Sequence, residues 1–118
     1  MSSFEHLDFA HPDEVRDFPH GHADILNTRT GAVGRMILEP GWKWSNDVKP
    51  IAGTEWCEAP HSQYHIAGTL HVVMADGEEF DVGPGEYTSL PAGHDAWVVG
   101  NEPVVAVDFA GMSNYAVH

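Results

Sequence analysis

Between Gly68 and Gly93 the chain reads GTLHVVMADGEEFDVGPGEYTSLPAG, and this stretch limits the fold more than any other. Short apolar runs alternate with turn residues, a pattern of strands joined by tight turns. Leu70 to Met74 is apolar but for His71 and holds the β-branched pair Val72-Val73, which suits one buried strand. Asp76-Gly77 is a two-residue hairpin signal, expected to adopt a type I′ turn because glycine and aspartate tolerate positive φ. Glu78 to Val82 alternates charged and apolar residues, as a half-exposed return strand does. Gly83-Pro84-Gly85 ends it, Tyr87 to Leu90 forms the next strand, Pro91-Ala92-Gly93 turns the chain again, and Ala96 to Val99 opens another strand.

The same reading extends to both sides. Ala23–Thr28, Val33–Leu38, His61–Ala67 and Val104–Phe109 read as strands, while Asn46–Thr54, with Pro50 and Gly53, reads as a loop. Residues 1–21 are polar, acidic and broken by Pro12, Pro19 and Gly21; we read them as an N-terminal arm, with at most one helical turn at Asp13–Arg16. Gly111–His118 reads as a tail. Residues 22–118 then form a single domain, and no stretch carries a convincing helical period. On pattern alone the chain is an all-β sandwich or barrel.

Composition closes off several functions. The 118 residues are 42% hydrophobic, enough for one core. Eighteen acidic residues against five basic ones give a net charge of -13, which disfavours nucleic acid and anionic membranes as partners. No apolar run approaches the roughly 18 residues of a membrane span. The first residues lack a basic region and an apolar core, and Cys57 is the single cysteine, so the expectation is a cytoplasmic protein without an intramolecular disulfide. Neither a dinucleotide fingerprint nor a phosphate loop occurs.

The turn framework resembles that of small single-domain cupins over about Ala32 to Phe109. Gly41 and Gly68 sit where that family opens and closes its first motif, Asp76-Gly77 where it places a hairpin, and Gly85 through Pro91 to Gly93 where it places the G-x5-P-x-G element of its second motif. The resemblance implies a double-stranded β-helix, a small jelly-roll barrel, and a homodimer. It also implies a divalent metal ion (iron, zinc, copper or nickel) in the barrel and chemistry on a small molecule, of dioxygenase or isomerase type. The ligand positions are altered. Where the family has His-x-His-x3-Glu, this chain has Glu55-x-Cys57-x3-His61, and the last family histidine falls at Ala96, with His94 two residues earlier. Carboxylate, thiolate and imidazole all bind transition metals. Glu55, Cys57, His61 and His94 are therefore the candidate ligands; His94 points inward if its strand has already begun, and to solvent if it sits in the turn.

Trp44, Gln63 and His65 are the candidate pocket residues. Residues two apart on a strand share a face, so His61, Gln63 and His65 point the same way. His71 falls opposite the apolar pair Leu70 and Val72 and reads as a structural or subunit-facing residue. Each candidate also has an ordinary explanation: Cys57 as a small buried hydrophobe, Glu55 as a solvated side chain, His61 as a hydrogen-bonded barrel residue. A Cys57–His61 nucleophile and base is a further reading. The alternative to a metalloprotein is a metal-free small-ligand-binding or sensing module built around the tryptophans.

Overall fold

The structure is a computed structural model that describes residues 4–112, 115 and 116. Nine strands run in chain order: β1 (Glu14–Phe18), β2 (Gly21–Thr28), β3 (Gly31–Leu38), β4 (His61–Ala67), β5 (Thr69–Met74), β6 (Glu79–Val82), β7 (Tyr87–Leu90), β8 (His94–Val99) and β9 (Val104–Asp108). They form two antiparallel sheets, one ordered β1-β2-β3-β9-β4-β7 and the other β6-β5-β8. Two single-turn helices, α1 (Trp44–Asp47) and α2 (Lys49–Ala52), interrupt the sequence between β3 and β4.

Alternation drives the layers. In β4, His61, Gln63 and His65 are buried while Tyr64 and Ile66 are exposed. In β8, His94, Ala96 and Val98 are buried. The inward side chains of both sheets, among them Ile25, Met36, Leu38, Leu70, Val72 and Val104, make one core. His71 points outward as expected. Its Nδ1 lies 2.6 Å from Asp81 and its ring packs 4.7 Å from Trp97.

Four expectations give way to the structure. The stretch Glu14–Phe18 pairs with β2 as a strand, so the helical turn at Asp13–Arg16 does not form. Its period is hidden because the inward residue is an arginine: Arg16 is buried, and its Nη1 donates to the carbonyls of Met112 and, at 2.8 Å, Tyr115. The expected tail is not one either, since Met112, Tyr115 and Ala116 belong to the core. Gly111, at φ +75°, permits this by crossing against the Pro60 carbonyl, where any Cβ would collide.

The expected loop Asn46–Thr54 instead holds the end of α1 and the whole of α2. Pro50 sits in the first turn of α2, and Gly53 closes it in the left-handed region at φ 74°. The Asp76-Gly77 hairpin has three loop residues rather than two. Gly77 donates to Met74 at 2.9 Å and Met74 to Glu78 at 2.7 Å. Gly77 has φ +97°, but Asp76 does not enter the positive region, so the turn is not type I′. Asp76 instead accepts from the Glu78 amide at 2.9 Å, which holds it in an ordinary turn conformation.

Candidate metal centre

Three elements place the cluster. Cys57 precedes β4 and bridges to the first residue of β8: its amide donates to the His94 carbonyl at 2.8 Å, and Gly93 donates back to Cys57 at 2.8 Å. This bridge sets Cys57 and His94 side by side. His61 opens β4 and faces inward. One donor atom from each of Cys57, His61 and His94 lies within 4.8 Å of the others, and all three residues are buried. β8 begins at His94, two residues earlier than the sequence suggested, and that start turns the His94 ring into the barrel.

Both imidazoles have their Nδ1 engaged. His61 Nδ1 bonds the Asp108 carboxylate in a short contact, and His94 Nδ1 donates to the Pro91 carbonyl at 3.0 Å. Each ring therefore offers Nε2. His61 Nε2 lies 3.6 Å from Cys57 Sγ. Bonds of about 2.0–2.3 Å in a tetrahedral set put ligand atoms roughly 3.3–3.8 Å apart, so this pair is spaced for a shared ion. Asp108 is fully buried and also accepts from Gln63 Nε2 at 2.8 Å and the Ala110 amide at 2.8 Å. A carboxylate behind a ligand imidazole fixes its tautomer and raises its basicity.

The donors line a small cavity of about 30 Å³, enough for an ion and one small group. Apart from Gln63 and Tyr115, its wall is otherwise apolar, with Met36, Leu38, Trp42, Leu70, Leu90 and Val104 among the lining. Burial pushes the Cys57 thiol up to about 12, against the smaller opposing pull of the Ala59 amide. Burial, and then the neighbouring His61, push His94 down to about 4. At neutral pH the metal-free cluster is thus a thiol with a neutral His94. Both forms accept a metal once the thiol proton leaves. The same numbers count against Cys57 as a free nucleophile, although Cys57, His61 and Asp108 do stand in line.

A second, open cleft of about 480 Å³ adjoins the cavity. Trp44, Cys57 and Tyr115 line both. Val48, Ile51 and Ala59 make much of the rest of the cleft, and Glu58 is its single charged lining residue among those described.

Glu55 is the correction among the predicted ligands. It is exposed, lining a shallow surface hollow with Ser45 and Lys49, and does not join the cluster. The chain there bends through residues 54–56 rather than running as a strand, so Glu55 and Cys57 do not share a face. Trp44 and Gln63 do line the cavity, but the Gln63 amide nitrogen is held by Asp108 and by the Met36 sulfur at 3.3 Å. His65 lines neither space; it lies deeper, with Nε2 2.9 Å from Thr88 Oγ1. Sequence reasoning missed Asp108 and Tyr115, and of the two neighbouring tryptophans it singled out Trp44 although Trp42 lines the cavity as well. Only Trp42 left a signal, as part of a Trp-x-Trp pair.

No protein-family model matches the chain, and no curated protein sequence matches it. Solved structures do share its architecture. A protein of unknown function (DUF1255) from Acidithiobacillus ferrooxidans superposes with a TM-score of 0.61 at 13% identity, covering 84% of this chain and 88% of that one. The polyketide cyclase RemF from Streptomyces resistomycificus gives 0.62 at 16% identity, covering 89% and 77%. Oxalate decarboxylase from Lactobacillus farciminis gives 0.62 at 19% identity over 94% of this chain, which spans only 34% of that one. At these identities the likeness is one of fold, and the fold is a cupin-type double-stranded β-helix. Among the described residues no helix is long and apolar enough to cross a membrane.

Proposed function

We propose that this chain is a small cupin-fold metalloprotein in which Cys57, His61 and His94 hold a divalent transition-metal ion. The observation that carries the reading is the convergence of three buried donors on one small cavity, with both imidazoles already fixed through Nδ1. Three protein ligands leave a coordination position open, where such an ion supplies Lewis acidity. The chain's own residues do the rest. Asp108 holds the proton on His61 Nδ1, the Pro91 carbonyl holds that of His94, and the apolar wall excludes bulk water.

The molecule it acts on enters by the adjoining cleft and is small and uncharged. A cleft of about 480 Å³ has the size of an ordinary ligand site. No lysine or arginine lines either space among the described residues and Glu58 lines the cleft, so an anionic dicarboxylate would meet one thiolate-bound divalent ion and no protein cation, which leaves its charge undercompensated. Homodimerisation belongs to the same proposal. Tyr64, Ile66, Tyr87 and Phe109 are exposed apolar groups near the β4–β7 edge, and light scattering after size exclusion would report the dimer mass.

The test is metal content by plasma mass spectrometry on protein purified without a histidine tag, beside a Cys57→Ala/His61→Ala double variant. Near-stoichiometric iron, zinc, copper or nickel in the wild type, lost in the variant, is expected. Wild type that carries no metal and takes up none when offered would overturn the reading and favour a metal-free ligand-binding module.

A further inference from the structure

Resting on the metal reading above, the donor set can be taken one step further. We infer that the cavity is a copper–thiolate site of the trigonal type: Cys57 Sγ with the Nε2 atoms of His61 and His94, shielded by apolar side chains, a site that an added one-electron oxidant and reductant interconvert between Cu(I) and Cu(II).

Four observations carry it. First, the described cluster offers one thiolate and two imidazoles and no carboxylate, since Glu55 is exposed and Asp108 is committed to His61, Gln63 and Ala110. One thiolate with two imidazoles is the donor set of trigonal copper sites, and soft sulfur with imidazole favours copper over the other first-row divalent ions. Second, the sulfur sits in low-polarity surroundings, among Met36, Leu38, Trp42 and Leu90, a feature that tunes the potential of a copper–thiolate bond. Third, the thioether of Met36 forms part of the same wall; its sulfur accepts from the Gln63 amide at 3.3 Å, which leaves it no more than the weak soft neighbour that such sites place beside the metal. Fourth, the cavity of about 30 Å³ holds the ion and at most one small group, and both rings are pinned at Nδ1. A ligand frame that cannot rearrange suits a centre that changes charge by one electron without changing partners.

The test is optical. Untagged protein, stripped by chelation, is loaded anaerobically with one equivalent of Cu(I) and oxidised with ferricyanide, which removes one electron to give Cu(II). The expected result is an intense visible thiolate-to-Cu(II) charge-transfer band, bleached when ascorbate returns the electron and restored by ferricyanide. Cys57→Ser, shown to be folded by circular dichroism, should lose the band completely. If that variant does not fold, the wild-type band and its reversible bleaching decide alone. Wild type that binds copper one-to-one without the band, or binds zinc one-to-one while refusing copper, overturns the copper–thiolate site and leaves the metal-binding reading intact. Failure to bind copper, zinc, iron or nickel overturns both.

Discussion

Asp108→Asn isolates the part of the site that holds His61 in its ligating form. Oδ1 of Asp108 accepts from the Ala110 amide, and Oδ2 accepts from His61 Nδ1 and from Gln63 Nε2. An asparagine keeps the Ala110 bond only by putting its NH2 group where Oδ2 was. Two donors then face two donors. His61 relieves the conflict by moving its proton to Nε2, the atom needed for the metal. Loss of an outer carboxylate of this kind costs about 10–100-fold in metal affinity, or roughly 1.4–2.8 kcal/mol. The Gln63 amide loses the stronger of its two acceptors in a buried place and keeps only the Met36 sulfur, which costs the metal-free fold a further 1–3 kcal/mol or so. Competition against a chromophoric chelator at neutral pH reads the first effect, and urea unfolding followed by circular dichroism reads the second. An Asp108→Asn variant that folds and binds metal as tightly as wild type would refute the role given to Asp108.

Other perturbations test the frame around the site. Gly111→Ala forces a side chain into the left-handed region and against the Pro60 carbonyl, so urea unfolding should show a loss of at least about 1–2 kcal/mol. Arg16→Met leaves the Met112 and Tyr115 carbonyls without their buried donor, and the same assay should show a loss of roughly 1–3 kcal/mol. Burial holds His65 below the ordinary histidine pKa, so the unfolded chain takes up a proton before the folded one does. Its contribution to stability is complete above about pH 6.5 and is lost as the pH falls through the folded pKa. In metal-free protein, His65→Gln should therefore flatten the acid side of the stability profile, which unfolding curves between neutral and mildly acid pH would show.

The strands were legible because their turns were. β4 and β7 fall on the expected residues, since Pro60, Gly85-Glu86 and Pro91 bound alternating runs that have no helical reading. The Asp76-Gly77 turn was placed correctly but typed wrongly, because the dipeptide names a hairpin and the aspartate side chain then selects its conformation. Two of the errors at the site have one source. Glu55 is a candidate only through the family's motif spacing, which presumes a strand where this chain bends. Asp108 was not considered because it lies 47 residues beyond His61, and only the pairing of β9 with β4 brings it to the ring. Arg16 and Tyr115 were hidden for the same reason: a buried arginine in an acidic arm makes sense only once the carbonyls of the folded-back C-terminal segment are seen above it. Spacing predicts what one strand can offer. What three strands offer together depends on register, which no spacing within a strand contains.

Whether Cys57, His61 and His94 hold one ion between them is tested most directly by crystals of the loaded protein, measured on both sides of the absorption edge of the bound metal. A single anomalous peak is expected in the barrel, about 2.0–2.3 Å from Cys57 Sγ and from the Nε2 atoms of His61 and His94. A loaded protein whose peak lies elsewhere, or a barrel that shows none, would contradict the shared site.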